Sequence, residues 1–400
     1  MEVKDVATLV NAVTSEVIGE GIVLKEDLSN VIEIGSKIFD NTSYDSYVKA
    51  LIDHIGRVLF VDRSYSGSMV SLYRDNWDYA ATMEKIMSTE LPEAVTDSSF
   101  NLVDGASYDP FVFKQPKVQA LFYNKRVNFE VDISICDIQV RSAFDSATQL
   151  NGFVSMLMND VDKSISIKMS ELAERTINYL IANTVYNDIP DLDLSKTGTK
   201  AVNLLKLYND TYDPNGNDPL TVDEAIYSPD FIRFASFTIS KYIKRLTKVS
   251  KLFNIGGMVR FTPTDKQHLV MLSDFKAAAD VFLQSDVYHN ELTALPMSED
   301  IPYFQGSGTD YDFDSISKIH IDIEDPSDKT KTVEVNISGV LGVLFDHDAA
   351  GITCERREVT SQYNAKARFN NLFYHQMANY FVDLNENCVV FFIGESSGNG

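Results

Sequence analysis

The chain has 400 residues, of which 44% are hydrophobic and 23% charged, so it can bury a substantial core and global disorder is excluded. Its formal net charge of −23 repels a phosphate backbone, which disfavours a protein that reads the sequence of DNA or RNA. The charge does not exclude a protein that encloses nucleic acid without binding it tightly.

The cysteines predict a reducing compartment. Cys136, Cys354 and Cys388 are too few and too scattered for a disulfide framework or a thiolate zinc site, so we expect buried, reduced thiols. The first residues lack the basic and apolar regions of a secretory signal, and no apolar run approaches the ~20 residues of a membrane span. We therefore expect no membrane partner.

The N-terminal 56 residues have the pattern of a mixed arm, with short helices predicted around 6–13, 27–39 and 47–55. From Arg57 the pattern changes to that of a strand, which ends at Arg63. Residues 64–117 are rich in Ser, Asp, Gly and aromatic residues, and they include one short predicted helix at 79–87.

A second strand is predicted at 127–140, just before Arg141. Val127, Phe129 and Val131 alternate with polar residues, which is the period of a strand with one solvated face. A strand, a long excursion and a returning strand predict an extended two-stranded ribbon. An isolated ribbon is marginal in water, so this one needs a neighbouring surface to lie on.

The most prominent pattern is an amphipathic helix over 144–183. Apolar residues recur at spacings of three or four, and they include Leu150, Phe153, Leu157, Val161, Ile165, Met169, Leu172 and Leu180. Such a helix would be roughly 55–60 Å long. Its stripe is wide and lacks strict heptads, so we expect it to pack on strands of its own subunit, including 389–394, rather than in a coiled coil.

The rest of the chain mixes strands and helices. Residues 187–230 are acidic and loop-rich, and 231–252 predict a helix with a basic stripe made by Lys241, Lys244, Arg245, Lys248 and Lys251. Further predictions are strands at 257–262, 268–272, 340–345 and 389–394, a helix at 273–283, a hairpin of 316–323 with 333–337, and a polar strand or two-stranded ribbon at 361–373 that continues to 382. The fold class is α+β.

The sequence contains no phosphate-binding loop, dinucleotide-binding pattern, nucleophile elbow or zinc-protease helix. Asp346, His347 and Asp348 follow an apolar strand, but neighbours on an extended segment point to opposite faces, so a solvated turn is favoured over a metal or catalytic site. Gly306–Gly308 predicts a mobile loop, and Asp310, Asp312 and Asp314 lack the Gly and Glu of a calcium loop. The basic stripe favours subunit contacts or a solvated face over nucleic acid.

Five stretches carry a resemblance to a known family. They are 51–58, 118–125, 144–184, 265–272 and 275–282. With the order of the elements, they resemble the major capsid protein of tailed phages, which has the Hong Kong 97 capsid fold. The resemblance covers most of the chain. The local amino-acid sequence is most similar to that of capsid proteins of small short-tailed phages that prime replication with a terminal protein.

The resemblance implies a division of the chain into an N-terminal arm with helices (1–56), an extended β-ribbon loop (57–140), the spine helix of a peripheral domain (141–184), an axial domain (185–349), return strands of the peripheral domain (350–394) and a flexible tail (395–400). The implied function is a structural protein, without enzymatic activity or cofactor, that forms pentamers and hexamers of an icosahedral shell around double-stranded DNA. The implied partners are further copies of the chain, with scaffolding, portal or cement proteins and DNA bound without sequence-specific contacts.

Assembly would take place in the host cytoplasm, and the mature protein would belong to the virion capsid. Residues of the ribbon and of the basic stripe are the predicted assembly contacts, namely Arg57, Arg63, Arg126, Phe129, Val131, Arg141, Lys241 and Arg245. Two alternatives stay open from the sequence. One is an encapsulin-like compartment for a cargo protein, and the other is a metal-dependent hydrolase that uses Asp346, His347 and Asp348.

Overall fold

The computed structural model describes residues 7, 10–14, 23–25, 29–34, 72–73, 83–88, 94, 97, 99, 101–109, 111, 113–136, 147–284, 298–304, 306–307, 318–325 and 330–394. Its helices are α1 (Ala147–Asp188), α2 (Leu204–Tyr212), α3 (Val222–Ala225), α4 (Pro229–Leu246) and α5 (Ser273–Gln284). Its strands are β1 (Met83–Ser88), β2 (Val118–Tyr123), β3 (Arg126–Cys136), β4 (Ala201–Asn203), β5 (Gln267–Leu272), β6 (Glu299–Ile301), β7 (Gly306–Ser307), β8 (Lys318–Glu324), β9 (Thr332–Ser338), β10 (Val340–Asp346), β11 (Ala350–Asn364), β12 (Phe369–Val382) and β13 (Cys388–Phe392).

Helix α1 confirms the predicted long helix, and it ends at Asp188, five residues beyond the predicted end. Its 42 residues correspond to about 63 Å of helix at 1.5 Å per residue. Side chains are described from Val161 onward, so the predicted stripe positions Leu150, Phe153 and Leu157 lie outside the description. The apolar stripe positions from Val161 to Leu180 are buried, as predicted. Pro190 follows the helix end, where its ring disfavours a further helical residue before it.

The buried face of α1 packs on strands of the same chain, as expected. It contacts β8, β11, β12 and β13. At the β13 contact the Thr184 hydroxyl donates to the Leu180 carbonyl at 2.8 Å and lies 3.5 Å from Cys388 Sγ. The helix is therefore a support for several sheets.

A mixed five-stranded sheet has the order β4-β13-β10-β5-β6. Strand β10 is antiparallel to β13 and β5, whereas the edge strands β4 and β6 pair in parallel. Strands β10 and β13 are buried along their whole length, which explains their unbroken apolar sequences. The predicted strands at 268–272, 340–345 and 389–394 are confirmed. Gly339 enters β10 at φ +73, and a Cβ there would collide with the Ile393 carbonyl.

The second sheet is antiparallel, with the order β11-β12-β3. The alternating strand is confirmed as β3, whose burial alternates along its length, but it pairs with β12. The ribbon partner predicted for it, 57–63, lies outside the described residues. Of the two forms predicted for 361–382, the continuous strand was wrong and the two-stranded form is present, because the chain reverses at 365–368 between β11 and β12, with Arg368 at φ 54.

Two hairpin-like pairs complete the sheets. Strands β8 and β9 form the predicted hairpin, with β7 parallel to β8. Strands β1 and β2 are antiparallel from the pair Met83 and Tyr123 to the pair Ser88 and Val118. The helix predicted at 79–87 was wrong from Met83 onward, because these residues bond to a strand more than thirty positions away. We call β1 and β2 the ribbon.

Other boundaries also differ from the predictions. The basic helix ends at Leu246 rather than at 252, and the predicted strand at 257–262 is reduced to an isolated bridge between Ser250 and Arg260. Of the predicted N-terminal helices, 10–14 and 31–34 contain helical turns, and 47–55 lies outside the described residues. Gly306 and Ser307 belong to β7 instead of a mobile loop, whereas Gly308 and the Asp310–Asp314 cluster are not described.

Candidate assembly interface

Charged side chains fasten the ribbon to the body of the chain. Lys85 on β1 places its Nζ 2.7 Å from Asp383 Oδ2 and 2.8 Å from Glu386 Oε1. Arg260 supplies a second cation, with Nε 3.4 Å from the same Glu386 oxygen and Nη1 donating to the Ser88 carbonyl at 3.2 Å. We call Lys85, Arg260, Asp383 and Glu386 the ribbon root.

Burial governs the electrostatics of the ribbon root. The Asp383 side chain is only 1% exposed, and that of Lys85 16%. Burial alone would lower the pKa of Lys85, but attraction and hydrogen bonds from Asp383 and Glu386 outweigh it and raise this pKa above 10.5. Burial raises the pKa of the Glu386 carboxyl, and the two cations only partly offset it. Lys85 therefore stays charged at neutral pH and holds the ribbon by ion pairs shielded from water.

The loop beyond the ribbon exposes large apolar side chains. We call residues 97–113 the tip. Its exposed apolar side chains are Leu102, Val103, Tyr108, Phe111 and Phe113, and the last two are 90% and 84% exposed. Exposed apolar groups in such a cluster mark an interaction surface more often than a solvated one.

Short-range hydrogen bonds give the tip a defined shape. The Val103 amide donates to the Tyr108 hydroxyl at 3.1 Å, and a turn between them places Gly105 at φ +82. The Asp109 carboxylate accepts from the Phe111 amide at 2.9 Å, which is an Asx turn. Because these bonds are local, the tip can keep its shape while its apolar side chains face outward.

A second exposed surface follows the end of α4. Lys248, Val249, Lys251 and Leu252 are exposed on the loop after this helix. Backbone hydrogen bonds of 2.9 and 3.0 Å between Ser250 and Arg260 bring the exposed ring of Phe261 to the same loop. We call Lys248, Val249, Lys251, Leu252 and Phe261 the basic patch.

The residues predicted to make assembly contacts differ in how far they are exposed. Arg126 is exposed at the start of β3, whereas Phe129 and Val131 are half-buried against the hydrophobic core of their own chain. Lys241 and Arg245 are exposed on α4, with the Arg245 guanidinium 5.2 Å from the centre of the Tyr242 ring. Their contacts with a neighbour stay predictions, and Arg57, Arg63 and Arg141 lie outside the described residues.

The Asp346-His347-Asp348 segment forms a hydrogen-bonded turn. The buried Asp346 carboxylate accepts from the Thr262 hydroxyl at 2.6 Å and from the Asp348 amide at 2.8 Å. His347 Nδ1 lies 2.9 Å from His268 Nε2. Within the described part of the chain, no three His, Cys, Asp or Glu side chains are grouped to hold a metal ion. The geometry thus explains these residues as elements of a turn.

The cysteines have different environments and form no disulfide with one another. Burial raises the pKa of the Cys388 thiol to about 12, so this thiol is unreactive near neutral pH. The expectation of buried thiols was wrong for Cys136, which is exposed at the end of β3.

In the stretches that the structure describes, no helix combines the length and the apolar character needed to cross a bilayer.

Comparison with known proteins identifies the family. The profile of the Phi29-like phage major capsid protein family matches residues 10–392. The chain belongs to this family. The major capsid protein of Bacillus phage PZA is 23% identical over 171 residues, which are 42% of this chain and 37% of that relative. The chain thus aligns with little more than a third of the length of this curated relative.

Solved capsid structures show the same fold. A chain in the capsid structure of Staphylococcus phage Andhra has a TM-score of 0.52 at 8% identity, covering 84% of this chain and 86% of that one. A chain in the structure of the head fiber and inner core protein gp22 of native bacteriophage P68 has a TM-score of 0.51, with the same identity and coverage. The predicted α+β capsid fold of the Hong Kong 97 type is confirmed.

The ribbon root was not predicted from the sequence. Lys85 precedes Asp383 by 298 positions, and no local pattern links a lysine in a strand to carboxylates in a distant turn. A weak signal was present at the other end, because Asp383-Leu-Asn-Glu386 follows a strand and places two acids in one turn. From the sequence alone, a solvent-exposed acidic turn was the simpler interpretation of these two residues.

Proposed function

We propose that this chain is the subunit of a self-assembling icosahedral shell, made of pentamers and hexamers, that encloses the phage's double-stranded DNA. The observation that carries the proposal is an apolar tip on a ribbon whose root is fixed by buried ion pairs. A single subunit leaves this tip in water, whereas assembly would bury it. Membership of a major capsid protein family supports the proposal.

The division into arm, extended loop, spine helix, axial domain and peripheral domain is part of this proposal. The ribbon and tip fall in the proposed extended loop (57–140), and α1 is the proposed spine helix. In a shell, energy would come from burial at many subunit contacts rather than from a reaction. Assembly would occur in the host cytoplasm, where scaffolding, portal or cement proteins could be needed, and the acidic surface would leave packaged DNA mobile.

Electron microscopy and sedimentation of the expressed protein test the proposal. Closed shells, formed alone or with a co-expressed scaffolding protein from the same phage, are the expected result. Subunits that stay monomeric under every condition would contradict it. Shells that contain a protein cargo and exclude DNA would favour a compartment instead, and nuclease-resistant DNA in particles from infected cells would favour the virion shell.

A further inference from the structure

Two segments of this acidic chain have opposite and unmixed charge. Residues 89–113, which include the tip, contain five Asp and Glu and no Lys or Arg. Residues 231–262, which include the basic patch, contain seven Lys and Arg and no Asp or Glu. In a chain with a net charge of −23, a segment whose charged residues are all basic attracts an acidic surface of a partner.

The two surfaces also match in apolar character. At the tip, Phe111 and Phe113 are the most exposed aromatic rings that the structure describes, and Phe111 lies two positions after Asp109 whereas Lys114 follows Phe113. On the basic patch, Val249, Leu252 and Phe261 are 51%, 60% and 55% exposed, and the first two directly follow Lys248 and Lys251. Aromatic anchors framed by complementary charge are the composition of an interface centre with a polar rim.

The tip does not cover the basic patch of its own subunit. The ribbon leaves the body beside the patch, because Arg260, the neighbour of Phe261, bonds to Ser88 at the end of β1. Nevertheless the apolar side chains of both surfaces are exposed in the same molecule. An occupant of the patch would therefore come from another molecule, and a second copy of the chain carries an exposed apolar surface of the complementary charge.

We propose that the tip of each subunit docks on the basic patch of a neighbouring copy. This inference rests on the proposed shell function and adds to it the place where the tip binds. Because donor and acceptor are different surfaces, the contact is heterologous, and repeated contacts of this kind close into rings. The aromatic rings of the tip would cover Val249, Leu252 and Phe261, while its carboxylates face Lys248 and Lys251.

A charge exchange tests the pairing. Asp104→Lys with Asp109→Asn adds three positive charges to the tip and keeps an acceptor for the Phe111 amide. Lys248→Glu with Lys251→Gln removes three from the patch. Each pair should raise the protein concentration needed for shell formation by about tenfold or more, and the four changes together should bring it to within about threefold of the wild type.

Asp218→Lys with Asp223→Asn is the matched control, because it makes the same charge change on exposed residues elsewhere. It should leave the required concentration within about threefold of the wild type. Loss of assembly in one pair with no recovery in the combined variant, while the control assembles, would overturn the pairing. Equal effects of the tip pair and the control pair would also overturn it.

Photo-crosslinking locates the docking site directly. A benzoylphenylalanine at Phe113 in assembled shells should form adducts with residues 244–262, and shells of mixed ¹⁴N and ¹⁵N subunits should give mixed-isotope pairs. Adducts with another segment, or only within one chain, would overturn the docking site while the shells themselves uphold the proposed function. If the wild-type protein forms no shells at all, the proposed function fails, and this inference fails with it.

Discussion

At the scale of single residues, Lys85 is the side chain on which the position of the ribbon depends. Of the four residues of the ribbon root it is the one that lies on the ribbon itself, and both of its acidic partners belong to the turn after β12. Deleting one member of a buried pair costs more than the pair contributes, because the remaining charge stays buried without compensation.

Lys85→Met should therefore destabilise the unassembled subunit by about 3 kcal/mol, since the Asp383 carboxyl would lose this ion pair in a site that water hardly reaches. Urea unfolding, followed by circular dichroism, measures this loss. Lys196→Met is the control, because the pair of Lys196 and Asp193 is largely exposed. That change should cost less than about 1 kcal/mol. Equal losses in both variants would contradict the role assigned to Lys85.

The raised pKa of Lys85 also predicts a pH dependence. A cation whose folded-state pKa exceeds its unfolded value contributes stability that is complete below the unfolded value, here 10.5, and is lost as pH rises through the folded value. The difference in unfolding free energy between the wild type and Lys85→Met should accordingly shrink as pH rises above 10.5. Urea unfolding of both proteins over this range measures it, and a difference that is constant or grows would contradict the assignment.

At the scale of elements, α1 is the support for several sheets, so its buried face should be far more sensitive than its outer face. Ile177 is fully buried in the core, whereas Ile167 is 56% exposed on the same helix. Ile177→Ala should cost about 2–5 kcal/mol because it leaves a cavity. Ile167→Ala should cost less than about 1 kcal/mol, and thermal unfolding of both subunits compares them. Similar melting temperatures would show that the helix is not part of the main core.

Elements with strong periodicity were predictable from the sequence. Helix α1 has the apolar spacing of an amphipathic helix, strands β5, β10 and β13 are apolar runs of strand length, and the alternation in β3 indicated its solvated face. The strand β1 was mistaken for a helix because its stability comes from β2, which is remote in sequence. Local patterns contain no information on such pairing.

The candidate interface was only partly predictable for the same reason. The basic stripe was visible as a run of cations, and a ribbon was expected in the right part of the chain. The fold brings Phe261 next to Val249 through a bridge between Ser250 and Arg260, which no spacing in the sequence indicates. The root depends on contacts across some three hundred residues, which only the folded chain brings together.

At the scale of the whole molecule, the acidic balance governs the relation to DNA. The net charge of −23 opposes the gain that a protein obtains when its cations displace counterions from phosphates. Unassembled subunits should therefore bind DNA more weakly than the ~10⁻⁴ M typical of the weakest non-specific binders at physiological salt. A gel-shift or fluorescence-anisotropy titration measures this affinity. Micromolar binding would contradict the idea of passive enclosure, and Lys248→Glu with Lys251→Gln would then show whether the basic patch causes it.

The distance in sequence between Lys85 and its partners has a consequence for how the protein is made. A ribosome produces β1 roughly 15–60 s before it reaches Asp383, at the usual 5–20 residues per second. Throughout that interval the ribbon has no root, β3 lacks its neighbour β12, and β10 lacks β13. A nascent or prematurely terminated chain thus cannot present a positioned tip. We therefore expect the turn after β12 to couple the position of the tip to the near-completion of the chain.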